Sequence, residues 1–364
     1  MGARDDKGVM NRRRGGGMRS RFIVLAIALA AAVLVASSAA SNGNGYTVHN
    51  LVSDGAIPAD HTDARLVNGW GLVAGPATPW WVADNGTNLS TLYNASGGAV
   101  ALVVSVPGNP TGLVFNGTAG AFPAGPANAT SAFIFDTEGG TIAGRIGTGV
   151  DARVDNSASG AVYKGLAIAT TSTGPELFAT DFHNARVDVY DAAWHSVTTP
   201  GGFTDPSIPA GYAPFGIQTI GDRIFVTYAK QDDVGHDEID GQGLGFVDAY
   251  DTSGNLMARV ALHGQLNAPW GLAWAPDTFG PFAGDLLVGN FGDGQINAYA
   301  ELPNGHFEHR GTLRSSDGGK LAIDGLWSLQ FGHGAPNNGP TDTLFFTAGP
   351  NGESDGLFGT ITAG

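Results

Sequence analysis

The chain has 364 residues, of which 57 are glycine and only 14% are charged, a composition that fits one large all-β domain with short strands and tight turns. The absence of cysteine excludes thiol catalysis and thiolate metal sites. The 18 basic residues are outnumbered by 33 acidic ones and do not cluster outside the N-terminus, which speaks against a nucleic-acid partner.

The N-terminal segment is typical of an export signal. "NRRRGGGMRSR" is basic, "FIVLAIALAAAVLVA" is apolar, and "SSAASNG" offers small residues for cleavage. We predict a signal peptide over residues 1–40, with Met18 as an alternative start, and a periplasmic or extracellular protein without a stable membrane anchor after cleavage. A retained anchor is the alternative, but the apolar run is shorter than the roughly 20 residues that span a bilayer. Without the leader, 11 basic residues stand against 31 acidic ones, a net charge of −20 that favours cation binding.

The rest of the chain repeats one pattern six times. A Gly-Leu or Gly-Ile pair opens an apolar strand, and a second and a third strand follow in each unit. The glycines of these pairs are Gly71, Gly112, Gly165, Gly216, Gly271 and Gly325. Their spacing of 41 to 55 residues predicts an all-β fold, a six-bladed β-propeller. A sandwich array or two barrels would not explain six units in register.

The two ends of the repeat are complementary. The last unit stops after its third strand, "GLFGTITAG", and "YTVHNLVSD" precedes the first unit without a unit of its own. A propeller hides its sheet edges by closing the ring. We therefore expect the N-terminal strand of the mature chain to be the outer strand of the last blade, within a single domain over residues 41–364.

An uncharacterised family of exported bacterial proteins resembles this chain in three segments, namely "NLVSDGAIPADHTDARLVNGWGLV", "VTYAKQDDVGHDEIDGQGLGFVDAYD" and "IDGLWSLQFGHGAPNNGPTDTLFFTAGPNGESDGLFGTI". Some members of that family end in a PEP-CTERM sorting signal, whose Pro-Glu-Pro motif this chain lacks. The resemblance covers nearly all of residues 46–364 and implies no established activity. The blades are also similar, more loosely, to those of NHL-repeat and gluconolactonase-type six-bladed propellers, some of which bind calcium.

The starts of the inner strands and the ends of the second strands are expected to share one face, around the central channel. Aromatic walls with a few polar groups are typical of small-molecule sites. From this face we predict ligand contacts by Trp70, Lys164, Phe215, Trp270, His183 and Lys230. The partner would be a small molecule, a glycan or a protein. For His183, a role in the turn is the alternative.

Four oxygen-bearing residues on the same face are candidate metal ligands. They are Asp84, Asp181, Asn290 and Asp324. Such ligands suit Ca²⁺ better than a transition metal. The alternatives are that these residues satisfy turn backbones, as Asp and Asn usually do, or that they contact the ligand directly. The acidic loop over residues 230–245 is expected to overhang this face as a cation site, a lid or a plain solvated loop.

Two functions are left open. The first is an exported, monomeric binding or scaffold propeller, because the chain offers no convincing catalytic set: "GESDG" matches G-x-S-x-G but falls in an expected hairpin loop rather than a strand-to-helix turn. The second is a calcium-dependent hydrolase of the lactonase type, in which the metal would polarise a carbonyl and activate water. Lactonase propellers also use a glutamate as a metal ligand, for which Glu138 is the candidate here.

Overall fold

The computed structural model describes residues 45–364, so the predicted signal peptide lies outside the described part. The described chain is built from β-strands and three one-turn 3-10 helices, Asn85–Thr87, Ser157–Ser159 and Gly280–Phe282. Across residues 45–364, no helix has the length and apolar character needed to cross a membrane.

Six small sheets, antiparallel except for the pair β1 and β2, form a six-bladed β-propeller, which confirms the predicted fold. The chain begins with β1 (Tyr46–Ser53) and β2 (His61–Thr62), both of which belong to blade 6. Blade 1 contains β3 (Gly69–Val73), β4 (Trp80–Asp84), β5 (Leu89–Tyr93) and β6 (Val104–Ser105). Blade 2 contains β7 (Pro110–Phe115), β10 (Phe133–Thr137), β11 (Thr141–Ile146) and β12 (Gly149–Asp155), with a side hairpin of β8 (Pro123–Ala124) and β9 (Ala129–Thr130).

The remaining blades follow in chain order. Blade 3 contains β13 (Tyr163–Thr171), β14 (Gly174–Asp181), β15 (Arg186–Tyr190) and β16 (Ser196–Val197). Blade 4 contains β17 (Tyr212–Ile220), β18 (Arg223–Gln231), β19 (Glu238–Ile239), β20 (Phe246–Tyr250) and β21 (Leu256–Leu262). Blade 5 contains β22 (Pro269–Trp274), β23 (Leu286–Asn290), β24 (Ile296–Glu301) and β25 (Phe307–Thr312). Blade 6 contains β26 (Leu326–Phe331), β27 (Leu344–Ala348) and β28 (Leu357–Ala363).

The ring is closed by the first strand of the described chain, as the sequence predicts. β1 pairs antiparallel with β28, from Tyr46 opposite Ala363 to Ser53 opposite Leu357. Each innermost strand contacts the next one around the channel, and β26 contacts β3. Blade 6 is therefore built from both ends of the repeat.

The repeated glycines occupy points where neighbouring blades come closest. A Cβ atom at Gly71 would overlap the backbone oxygen of Thr111 in the next blade, and one at Gly216 would overlap that of Trp270. The register of the innermost strands is irregular here, as in a β-bulge. Glycine is required because no side chain fits between the blades at these points.

Two adjacent tryptophans, Trp80 and Trp81, show how the blades pack. They point to opposite faces of β4, as successive strand residues do. Trp80 packs on Phe345 of blade 6 at 4.7 Å between ring centroids, and Trp81 stacks on Phe133 of blade 2 at 3.9 Å. These two aromatic side chains therefore serve packing between blades.

The alignment of the sixth repeat at Gly325 is wrong. Leu329 has the register position that Leu72 has in blade 1, so Ser328 stands where the other blades have their glycine. Gly325 instead lies in the preceding turn with a φ of +63°, a left-handed conformation that favours glycine. As a result, Trp327 takes the channel position in this blade.

Candidate functional site

Aromatic side chains, all buried except the partly buried Phe291, close the channel near one end, and we call them the aromatic floor. They are Trp70, Phe182, Phe215, Trp270, Phe291 and Trp327. Trp327 lies at the centre, because its ring stacks on Trp70 at 3.6 Å and on Phe291 at 4.1 Å between centroids. Trp70 and Trp327 are at most 1% exposed, so the floor fills the channel instead of presenting open ring faces.

Lys164 occupies a channel position that is aromatic in four of the blades. Its side chain is 1% exposed, and its Nζ lies 5.1 Å from the centre of the Trp70 ring and 6.0 Å from that of Phe182. Nζ donates a hydrogen bond to Glu138 Oε1 at 2.6 Å and lies 3.4 Å from Asp237 Oδ1. A buried ammonium requires such partners, because an unpaired charge in the interior is costly.

The charged groups around this lysine form what we call the mouth cluster. It consists of Glu138, Lys164, His236, Asp237, Glu238 and Glu353. Glu138 directly follows β10, residues 236–238 belong to the loop between β18 and β20, and Glu353 lies in the turn between β27 and β28. The loop over residues 230–245 thus overhangs the channel face, as expected from the sequence.

The crowding of carboxylates around one cation shifts the pKa values of these carboxylates. Burial raises the pKa of Glu238 to about 7, and nearby Glu353 and Asp237 add to this while Lys164 opposes it. Burial also raises the pKa of Glu353. Burial alone would lower the pKa of Lys164, but Glu138 and Glu238 raise it above the ordinary value, so the lysine is protonated. The cluster therefore holds more negative charge than its lysine can balance.

Two buried amide side chains, those of Asn68 and Asn85, fix the positions of the outer carboxylates. Asn68 donates to Glu353 Oε2 at 2.7 Å and accepts a hydrogen bond from Trp327 Nε1 at 2.8 Å. Asn85 donates to Glu138 Oε2 at 2.9 Å. The floor and the mouth cluster are thereby joined through hydrogen bonds, which holds the carboxylates in place.

The first two predicted metal ligands, Asp84 and Asp181, are hydrogen-bonded within their own blades. Asp84 is fully buried and accepts from the backbone N–H of Thr91 at 2.8 Å. Asp181 accepts from the side chain of Asn184 at 2.8 Å and lies 3.2 Å from Arg186. These contacts agree with the turn and hairpin role that was the alternative for both residues.

The other two predicted ligands also have local partners. Asn290 donates to Asp293 Oδ1 at 3.1 Å and to a backbone oxygen at 2.8 Å. Asp324 is exposed, and its Oδ2 accepts from the backbone N–H of Asn351 at 2.8 Å. It precedes the channel position that Trp327 fills. A calcium site made of Asp84, Asp181, Asn290 and Asp324 stays a prediction.

Among residues 45–364, only one group of three acidic or histidine side chains has its ligand atoms within 4.8 Å of one another. It consists of Glu138, His236 and Asp237. Lys164 Nζ lies against two of these carboxylates, so a metal ion there would approach a protonated ammonium. His236 also offers a nitrogen ligand, which calcium does not prefer. These residues fit hydrogen bonding to a ligand better than calcium coordination.

The predicted ligand-binding residues divide into two sets. Trp70, Phe215 and Trp270 come together in the aromatic floor, with Lys164 above them. His183 is exposed and Lys230 is half-buried, and within residues 45–364 no hydrogen bond or ion pair joins either side chain to the mouth cluster. Direct ligand contact by these six residues stays a prediction.

Four residues of the site were not identified from the sequence, namely Asn68, His236, Trp327 and Glu353. Trp327 could have been found by aligning "LWSL" with "GWGL" and "PWGL", tryptophan on tryptophan. Glu353 and His236 belong to loops outside the repeat, so no periodic signal marks them. Glu353 also adopts a left-handed backbone, with a φ of +66° that is unusual for a residue other than glycine.

Comparison with known proteins gives a family but no activity. No family model matches the chain. Uncharacterized protein R648 of Acanthamoeba polyphaga mimivirus is 31% identical over 335 residues, which span 87% of this chain and 80% of the viral protein. Because this relative is viral, the expected membership of an exported bacterial family stays a prediction.

Solved structures that are similar to the chain share its propeller fold. A protein of unknown function from Bacteroides thetaiotaomicron covers 87% of this chain and 76% of its own at 11% identity, with a TM-score of 0.54. Virginiamycin B lyase from Staphylococcus aureus covers 87% and 99% at 14% identity, with a TM-score of 0.49. A gluconolactonase from Xanthomonas campestris covers 71% and 90% at 18% identity, with a TM-score of 0.40. At these identities the likeness concerns the fold alone.

Proposed function

The chain belongs to the protein family of uncharacterized protein R648 of Acanthamoeba polyphaga mimivirus, and from this premise we propose that it is a binding propeller whose ligand docks on the mouth cluster through a positively charged group. The observation that carries this proposal is the gathering of four carboxylates around one buried lysine. A ligand ammonium would supply the charge that the lysine alone does not.

The electrostatics of the cluster support a cationic ligand. Glu238 has a pKa raised to about 7 and Glu353 a raised pKa, so both carboxylates are destabilised in their charged form. A cation beside them would favour that charged form and lower both pKa values. Perturbed carboxylates at a channel mouth are a frequent mark of a functional site.

The shape of the site supports binding at the face rather than passage through the ring. The aromatic floor fills the channel beneath Lys164, with a cavity of about 20 Å³ next to it beside Leu166 and Ile217. The loop over residues 230–245 covers one side of the mouth. A small ligand would lie at the mouth and contact carboxylates from blades 2, 4 and 6.

The proposal is tested by calorimetric titration of the full chain with 1,4-diaminobutane, and with 1,4-butanediol as the uncharged counterpart. We expect the diamine to bind and the diol to fail, with higher affinity at pH 8 than at pH 5.5 because Glu238 ionises between these values. Glu238→Gln should weaken binding by about tenfold or more, as expected for losing a charged hydrogen-bond partner.

Asp233→Asn is the matched control, since Asp233 is an exposed acid of the same loop outside the mouth cluster. It should leave the affinity unchanged. Equal affinity for diamine and diol, or equal loss in the Asp233 and Glu238 variants, would show general charge attraction and overturn the proposal.

A calcium-dependent hydrolase is the second candidate, and it rests on the predicted oxygen ligands Asp84, Asp181, Asn290 and Asp324. Its test is a thermal melt of the metal-stripped full chain with and without calcium, followed by a lactone panel. A ligand that binds only the folded state stabilises it by about 2.7 kcal/mol at a hundredfold excess over its dissociation constant. A calcium-dependent rise in the midpoint with lactone turnover would establish this function, and no rise would reject it.

We also propose that the protein acts outside the cytoplasm as a monomer. The basic and apolar pattern of residues 1–40 supports export. Mass determination of the protein recovered from its native host would show whether cleavage occurs after Ala39 or Ala40. Light scattering of the cleaved chain would give its oligomeric state.

A further inference from the structure

A basic groove lies on the side of this acidic protein, between blades 5 and 6 and away from the channel. It has a volume of about 470 Å³ and is lined by β25, by the segment 313–320 and by Tyr46 at the start of β1. Three of the 11 basic residues beyond the leader line it, namely Arg310, Arg314 and Lys320. We call it the blade 5–6 groove.

The first argument for a ligand is an unbalanced pair of cations. Arg314 and Lys320 lie directly opposite each other in an antiparallel bridge. Like charges in that position repel and destabilise the pairing. Both side chains are exposed, and no carboxylate of residues 45–364 lies within 4 Å of either one. An anion between them would turn this repulsion into attraction.

The second argument concerns Arg310. It stands in β25 at a register shift between His309 and Gly311, where one extra residue is inserted opposite β24. A bulge of this kind changes the direction of a side chain, and here the bulged residue is the arginine that lines the groove. Its contact with Asp285 is long, 3.4 Å from Nη1 to Oδ1, so it can donate further hydrogen bonds to an anion.

The third argument is the apolar side of the groove. The rings of Phe282 and Tyr46 are parallel to within 4° at 6.2 Å between centroids. Tyr46 is buried while Phe282 is only partly buried, and Pro281 and Leu313 complete this side. The groove therefore joins an apolar, partly aromatic wall to a row of cations, within the size range of small-molecule sites.

We propose that the blade 5–6 groove binds a small aromatic anion, its carboxylate or phosphate held by Arg314, Lys320 and Arg310 and its ring against Phe282. This site is independent of the mouth cluster, which favours ligands of the opposite charge. The mouth cluster and the blade 5–6 groove would thus bind different small molecules.

The test is calorimetric titration of the full chain with phenyl phosphate and with benzoate, at low and at physiological salt. We expect binding of at least one of them that weakens as salt is raised, because exposed charges are screened. Arg314→Gln with Lys320→Gln should lower the affinity by about tenfold or more. Phe282→Ala should lower it by removing the ring contact.

Lys230→Gln is the control, since it removes from the channel face a cation that has no ion pair among residues 45–364, and it should leave the affinity of the groove unchanged. Each variant is checked by its thermal midpoint, which we expect to rise slightly in the Arg314 and Lys320 variant because the repulsion is gone. No binding of either probe at millimolar concentration overturns the proposal. An equal loss of affinity in the Lys230 variant would also overturn the proposal, because it would show a general attraction to basic residues.

Discussion

Glu138 of blade 2 and Lys164 of blade 3 form an ion pair of 2.6 Å across a blade boundary, with the lysine side chain only 1% exposed. The pair stands directly above the aromatic floor and is continued by Asp237 from the loop of blade 4. Three blades are therefore joined at the channel mouth by one cation. Structure and proposed function depend on the same lysine.

Replacing this cation is expected to destabilise the fold. Lys164→Met keeps the side-chain length but leaves the carboxylates without their partner, and breaking a buried pair in this way costs about 3–5 kcal/mol. Urea unfolding measures the loss. Lys230→Met, at a half-buried lysine without an ion pair among residues 45–364, should cost much less. Similar losses in both variants would contradict the importance of the pair.

Stability should depend on pH through Asp136, a fully buried carboxylate of blade 2. Burial raises its pKa to about 7, against the lowering effect of hydrogen bonds from Thr111 and Gly112. The folded state then keeps a proton that the unfolded state has lost between about pH 4 and pH 7, so stability falls as pH rises through that range. Asp136→Asn should gain about 2 kcal/mol relative to wild type on going from pH 5 to pH 8, measured by urea unfolding. A stability difference between Asp136→Asn and wild type that does not change with pH would contradict this prediction.

Close approach of the blades predicts the effect of adding one methyl group. Gly216→Ala should cost about 1–3 kcal/mol, because its Cβ would overlap the backbone oxygen of Trp270 in the next blade. Gly149→Ala is the matched control, since no atom lies within 4 Å of its added Cβ. Thermal melts compare the two, and equal midpoints would show that the blades can move apart at no cost.

A disulfide across the ring closure should stabilise the protein. Thr47 and Thr362 are exposed cross-strand partners in β1 and β28, and the chain has no cysteine of its own. The variant Thr47→Cys with Thr362→Cys closes a very long loop, for which a gain of about 4 kcal/mol is expected if the geometry is unstrained. Thermal midpoints with and without a reductant measure this gain within one sample. A reduced form that melts no lower than the oxidised form would argue against closure by this strand pair.

The repeat was readable from the sequence because the same contact is made in each blade. The glycines at 71, 112, 165, 216 and 271 all meet the backbone of the next blade, so one physical constraint recurs as a visible motif. Blade 6 differs, since Ser328 stands at the equivalent position. In that blade Gly325 lies in a turn. Because it is also a glycine followed by leucine, it shifted the alignment of the sixth repeat by three residues.

The site was less readable because its charges come from outside the repeat. Lys164 and Glu138 lie at repeated positions and were identified as residues of the channel face. Glu353 and His236 lie in loops whose path depends on contacts far away in the sequence, such as the hydrogen bond from Asn68 to Glu353. Asp84, a predicted metal ligand, has a buried carboxylate that accepts a hydrogen bond from the backbone N–H of Thr91 in its own blade, a contact that the sequence pattern does not reveal.

The pairing of β1 with β28 sets the order in which the protein can be completed. Tyr46 is made before blades 1 to 5, but its partner Ala363 is made after them. Blades 1 to 5 consist of contiguous hairpins and can form as they emerge, whereas blade 6 must wait until β28 has been made. A nascent or truncated chain that lacks β28 thus has an open sheet edge at each end, a state that proteases and chaperones can recognise.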